Sequence, residues 1–190
     1  MQNLMNIALA LMISAIAETP ATSLRGTVYV GARPQADAVV WLEVEGDVPS
    51  SPSRRAVLDQ RNLTFEPRVL AVRTGTTVEL PNHDRVFHNV FSFHNAKRFD
   101  LGMYPVGTSK YVRFDQEGLS RVFCNIHPGM AAYVVAVNSP YFAVSDRQGG
   151  YSIPSVPLGR YTYHAWRAGA DTLTGSATVD ADGTLDVRFP

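Results

Sequence analysis

Apolar and polar residues alternate in short bursts along most of the chain. Arg25–Val30 (RGTVYV), Ala38–Glu45 (AVVWLEVE), Arg68–Arg73 (RVLAVR), Thr76–Leu80 (TTVEL) and Val86–Phe93 (VFHNVFSF) are rich in β-branched and aromatic residues, as are Ser109–Phe114, Leu119–Cys124 and Ala131–Val137. Beyond Pro140 the same texture returns at Tyr151–Ile153, Tyr161–Trp166, Gly175–Val179 and Leu185–Phe189. Such residues suit a pleated, half-buried surface, and Gly, Pro, Asn and Asp interrupt them at Arg73-Thr74-Gly75, Pro81-Asn82 and Glu117-Gly118. No window of a dozen residues carries sustained apolar spacing at i, i+3, i+4 and i+7, so no long helix is expected after the N-terminal segment. The pattern predicts an all-β sandwich or barrel of many short strands. Residues 46–62 (GDVPSSPSRRAVLDQRN) are polar and Ser/Pro-rich, and read as a connection.

Residues 1–17 (MQNLMNIALALMISAIA) differ in kind. They hold no charged side chain and end in Ala15-Ile16-Ala17, the small-x-small form that signal peptidase accepts. The apolar stretch is short of the roughly 20 residues that span a bilayer. The segment reads as a secretory signal cleaved after Ala17, which implies a periplasmic or otherwise exported protein. A retained N-terminal anchor is the alternative, because Lys and Arg are missing from its start. No later segment is long and apolar enough to cross a membrane as a helix.

Charge and cysteine usage narrow the function. The 190 residues carry 17 Lys+Arg against 17 Asp+Glu. This neutrality argues against a nucleic-acid partner, which calls for a clustered basic footprint. The single cysteine, Cys124, excludes an intramolecular disulfide. In an oxidising compartment a free thiol is commonly paired between chains, reactive or metal-bound.

One constellation offers chemistry. Cys124-Asn125-Ile126-His127-Pro128-Gly129-Met130 sets thiolate, imidazole and thioether at the spacing C-x2-H-x2-M, and His88 supplies a second imidazole upstream. Two His and one Cys in a trigonal plane with a weak axial Met form the blue-copper electron-transfer arrangement. A tight loop between strands, bent by Pro128 and Gly129, would let three ligands converge, with the fourth on a neighbouring strand. Structural zinc fits less well, since Met is a poor zinc ligand and two cysteines are usual. Cys–His nucleophilic catalysis would leave Met130 unexplained and has no evident orienting acid. His83 lies in a turn signature, Pro81-Asn82-His83-Asp84. His94 shares strand parity with His88 and is a lesser ligand candidate, and His164 reads as structural.

The stretch Phe65–Val137 resembles the cupredoxins, most closely the amicyanin, pseudoazurin and plastocyanin group. The resemblance rests on FEPRVLAVRTGTTVELPNHDRVFHNV and VRFDQEGLSRVFCNIHPGMAAYVVAV: an F-x-P opening, a Gly-Thr-x-Val turn, Asn after the first His, and C-x2-H-x2-M between strands. It implies a Greek-key β-sandwich at 62–138 holding one copper ion, Cu(I) or Cu(II). His88, Cys124 and His127 would be equatorial ligands and Met130 axial. It also implies a bond from Asn89 across to Asn125. HNVFSFHNAKRFDLGMY resembles exported bacterial chains labelled methylamine-utilisation or plastocyanin-like.

The flanks carry a second resemblance. Leu24–Val44 (LRGTVYVGARPQADAVVWLEV) and Phe142–Trp166 (FAVSDRQGGYSIPSVPLGRYTYHAW) resemble the two halves of carboxypeptidase-regulatory-like domains, small transthyretin-type sandwiches. The expectation is a discontinuous second sandwich, 24–58 with 139–190, into whose loop the copper unit is inserted. The alternative is two sequential units, with 24–58 supplying the first cupredoxin strands.

The leading functional expectation is an exported mononuclear type 1 copper protein that carries single electrons. His127 would be the electron port, and Pro128, Gly129 and Ala131 part of a small apolar patch that docks a small redox protein or dehydrogenase transiently. Two alternatives remain: a copper-binding and delivery protein, or a structural or adhesion module with a metal site. No paired carboxylates or nucleophile triad stand out, so an enzyme is not expected.

Overall fold

The computed structural model describes residues 19–46, 55–94 and 96–190. The expected signal segment and much of the polar connection lie outside the described residues. Among those described there is no helix.

Strands come in three groups along the chain. The first segment supplies β1 (Ala21–Val30), β2 (Arg33–Pro34) and β3 (Val39–Leu42). The middle supplies β4 (Ala56–Val57), β5 (Asp59–Arg61), β6 (Thr64–Glu66), β7 (Val69–Arg73), β8 (Thr76–Pro81), β9 (His88–His94), β10 (Lys97–Tyr104), β11 (Ser109–Phe114), β12 (Gly118–Phe123) and β13 (Ala131–Val137). The last segment supplies β14 (Phe142–Val144), β15 (Gly150–Pro157), β16 (Gly159–Trp166), β17 (Leu173–Val179) and β18 (Val187–Phe189).

Among the described residues the strand ladders separate into two sets. Middle strands form one sheet in the order β10-β9-β12-β13-β7, a second in the order β11-β8-β4, and the β5–β6 hairpin. Flanking strands form β15-β1-β18, with β2 also on β1, and β14-β3-β16-β17. Thr27 pairs with Gly150, and Val28–Val30 run parallel to Val187–Phe189.

Each set encloses its own core. Leu58, Val78, Leu80, Val90, Phe114 and Val134 are among the residues of the middle one. Leu24, Val28, Val40, Leu42, Ile153 and Val187 belong to the flanking one. A third cluster joins them: Val69, Val135 and Val137 meet Val39 and Trp166, and Tyr133 stands edge-on to Trp166 at 5.1 Å between ring centroids. This explains the unbroken apolar run of β13. Ala132, Val134 and Ala136 face the middle core, while Val135 and Val137 face the shared cluster. A strand covered on both faces loses its polar alternation. Burying each such Val contributes about 1.5–3 kcal/mol.

Gly26 and Gly149 are among the glycines that geometry requires. A Cβ at Gly26 would lie 1.8 Å from Leu185 O, so β1 could not approach that backbone with any side chain there. Gly149, with φ +78°, closes the turn in which Asp146 Oδ1 accepts the Gln148 and Gly150 N–H groups at 2.8 and 2.9 Å.

The structure corrects the sequence reading at the start of the middle unit. Residues 56–61, read as connection or as part of the first flank, carry β4 and β5 of the middle unit. Ala56 pairs with Val78, and Leu58 and Gln60 are fully buried. The β5–β6 hairpin and β10 were not expected either. β10 is a largely exposed edge strand of polar composition, KRFDLGMY. Its register shifts between Asp100 and Met103, around Gly102 at φ +63°. That bulge moves the inward positions from 97, 99 and 101 to Tyr104, which is buried opposite His88.

Candidate metal centre

Register alone brings the candidate ligands together. β9 and β12 are antiparallel with Phe91 opposite Phe123. Moving back along β9 to His88 therefore matches moving forward along β12 into the loop that holds Cys124 and His127. That loop leaves β12 after Phe123 and re-enters the sheet at Ala131, its direct partner. Cys124 N–H donates to Met130 O at 3.1 Å, and the Gly129 and Met130 N–H groups both donate to His127 O at 3.0 Å. The loop is thus closed by its own backbone, with the three candidate donors it carries at fixed points.

Three ligand atoms converge. Cys124 Sγ lies 3.7 Å from His88 Nδ1 and 3.5 Å from His127 Nδ1, and the two Nδ1 atoms are 3.1 Å apart. The two rings meet edge to face, centroids 4.7 Å apart. His88 is fully buried, Cys124 is buried and His127 is half-buried. Met130, expected as axial ligand, is buried in the same core as Cys124. Sulfur and imidazole donors in a largely dry pocket fit a soft or borderline ion such as copper.

The surroundings of His88 are polar and ordered. Its other ring nitrogen, Nε2, is 3.1 Å from Asp84 Oδ2. That oxygen also accepts the Leu63 N–H at 2.7 Å, and Asp84 Oδ1 accepts the Arg85 N–H at 2.8 Å. Burial alone would raise the Asp84 pKa. The bonds from Leu63, Arg85 and His88 outweigh it and hold the carboxyl below its usual range. Tyr104 donates its hydroxyl to Leu80 O at 3.0 Å and accepts a bond from Gln60 Nε2. Its burial pushes the phenol well above its ordinary value.

The sequence-predicted residues have distinct fates. His88, Cys124 and His127 come together. The expected bond from Asn89 to Asn125 is not made: Asn89 Nδ2 donates to Asp100 Oδ1 at 2.8 Å, its Oδ1 is buried without a hydrogen-bond partner, and Asn125 is exposed. The β10 bulge accounts for this, because it presents Asp100 to Asn89 while also taking the Gly102 N–H at 2.8 Å. Pro128 and Gly129 are exposed and Ala131 half-buried beside His127. Further exposed apolar residues flank the ligand segments: Val86 and Phe87 immediately before His88, and Ile126 within the loop. His83 is exposed and pairs with Asp59 at 3.0 Å. His164 sits in the flanking sheet, stacked on Trp41 and bonded to Thr174. The side chain of His94 lies outside the described residues. Asp84 was missed, although an acid four residues ahead of a candidate ligand His, in a turn, was a readable signal.

No protein-family model matches the chain, and no curated protein does. Among solved structures it is similar to a purple cupredoxin from Nitrosopumilus maritimus, at 26% identity over 43% of this chain and 99% of that one, TM-score 0.40. It is similar to a reduced amicyanin variant at 22% identity over 51% of this chain and 99% of that one, TM-score 0.41. It is also similar to a copper-containing nitrite reductase from Thermus scotoductus, at 21% identity over 50% of this chain but 25% of that one, TM-score 0.43.

Proposed function

We propose that this chain is an exported, mononuclear type 1 copper protein that carries single electrons and is not an enzyme. The observation that carries this reading is the convergence of Cys124 Sγ with His88 Nδ1 and His127 Nδ1, all within 3.1–3.7 Å of one another. His88, Cys124 and His127 would hold the copper, with the Met130 thioether buried in the same core as a further donor. When bound, it supplies a one-electron couple whose Cu(II) form is coloured by the thiolate.

The residues around the site serve the same end. Main-chain bonds fix the Cys124–Met130 loop, and β9 is locked into its sheet, so the ligands need move little between oxidation states. The buried His88 side keeps water out, while half-buried His127 is the route to the surface. Pro128, Gly129 and Ala131, with Ile126, Val86 and Phe87, would form the patch on which a small redox protein or dehydrogenase docks briefly. Zero net charge gives little long-range steering, so the transfer rate is expected to vary weakly with salt.

The proposed architecture is a cupredoxin Greek-key unit set into the loop of a carboxypeptidase-regulatory-like sandwich. The separation of strand ladders and the two distinct cores support it. The first and last segments would then be one sandwich whose role is to present the copper unit.

A carrier and a delivery protein differ in what they keep. Copper-loaded protein is expected to bleach with ascorbate and recolour with ferricyanide through many cycles in the presence of a copper chelator. Loss of metal to the chelator within the first cycles would instead support delivery.

A further inference from the structure

We propose that Asp84 is a positioning residue that sets the tautomer of His88 and favours the oxidised form of the site. This rests on the copper reading. His88 can ligate through Nδ1 only if that nitrogen carries a lone pair, so the ring proton must sit on Nε2. The atom facing Nε2, at 3.1 Å, is a carboxylate oxygen, which can only accept. Asp84 therefore places the proton on Nε2 and aims the Nδ1 lone pair at Cys124 and His127 before metal arrives.

The carboxylate is itself held in place. Its Oδ2 takes the Leu63 N–H and its Oδ1 the Arg85 N–H. Its own N–H donates to Asn82 Oδ1 at 3.0 Å. Asn82 is fully buried, and its other groups are engaged as well. Its Nδ2 donates to Val86 O at 2.9 Å and Tyr104 O at 3.2 Å, its N–H to Thr108 O at 2.9 Å, and its carbonyl accepts the Gly107 N–H at 2.7 Å. The turn from Asn82 to His88 is thus organised around presenting one carboxylate to one ring nitrogen.

Charge gives the direction of the redox effect. Cu(II) held with the Cys124 thiolate would carry one net positive charge, which the Asp84 carboxylate would balance. Reduction would leave the Asp84 charge uncompensated in a buried place. A hydrogen-bonded carboxylate also makes an imidazole a stronger donor, which favours the higher oxidation state.

Two measurements test this on the full chain. The first uses metal-free wild-type protein and long-range 15N–1H NMR of the His88 ring, recorded where the ring is neutral. The proton is expected on Nε2; a proton on Nδ1 would overturn the proposal whether or not any variant folds. The second compares Cu(II) and Cu(I) affinities of wild type and Asp84→Asn. Cu(II) affinity is expected to fall roughly 10–100-fold and Cu(I) affinity by less, so the reduction potential rises. Equal losses in both states, or a lower melting temperature with unchanged affinities, would make Asp84 a loop anchor only. If wild type binds no copper through the thiolate, the copper reading fails, while the ring measurement still decides the role of Asp84.

Discussion

The two sandwiches bury their apolar side chains in the same manner and differ in their polar ones. In the flanking unit Ser145 is buried with both hydroxyl roles filled: it accepts from Ala38 N–H at 2.9 Å and donates to Gln35 O at 2.7 Å. The middle unit buries Gln60, Asn82, Asp84, His88 and Asn89 around one end of its core. Gln60 Oε1 and Asn89 Oδ1 there have no hydrogen-bond partner. Burying a polar group costs free energy unless it is bonded. The larger buried polar set of the middle unit includes the candidate ligand His88 and the Asp84 carboxylate that meets its ring.

The comparison breaks most visibly at the ligands. Cys124→Ser in copper-loaded protein is expected to abolish the intense red-region absorption completely while far-ultraviolet circular dichroism stays that of a folded β protein. Next come core truncations. Ile153→Ala in the flanking core is expected to cost about 2–5 kcal/mol in denaturant unfolding and leave the visible spectrum unchanged. Leu80→Ala, beside the Tyr104 network, is expected to cost a similar amount and also weaken copper retention. A changed spectrum in Ile153→Ala would mean that the shared cluster at Val39, Val135 and Trp166 couples the two units electronically or sterically.

Metal binding sharpens the contrast from the other side. Copper at a hundred times its dissociation constant stabilises the form that binds it by about 2.7 kcal/mol. Hydrogen exchange is expected to slow in β9, β12 and β13 more than in β1 and β15. The smallest effect is one the units share. Burial raises the phenols of Tyr104 and Tyr151 in the fold, whereas the unfolded chain releases those protons near about pH 10. Their stabilising contribution is therefore complete below that pH and declines as pH rises beyond it. Melting temperature measured across the alkaline range is expected to fall there, and less steeply in Tyr104→Phe.

Much of this was legible in the residues. Ser109–Phe114 and Ala131–Val137 were expected at the bounds where they form strands, because their apolar and β-branched content is dense and their turns are marked by Gly and Pro. The convergence of His88, Cys124 and His127 was legible because a thiol and an imidazole share one tight loop and a second imidazole lies on a candidate neighbouring strand. What stayed hidden depends on the third dimension. β10 is polar because it is an exposed edge, so no apolar alternation announced it. Leu58 and Gln60 were obscured by the Ser/Pro-rich stretch before them. Asn89 bonds Asp100 because of a bulge in the neighbouring strand, which its own segment does not encode. Asp84 was visible as a letter, but its meaning comes from the turn that folds it back onto Nε2.

The most direct test of the copper reading is titration of the purified protein with Cu(II), followed by visible absorption and electron paramagnetic resonance. The account predicts saturation at one copper per chain, an intense red-region band and a small copper hyperfine splitting, all lost in Cys124→Ser. A colourless complex with a large splitting, or a spectrum unchanged in Cys124→Ser, would contradict it.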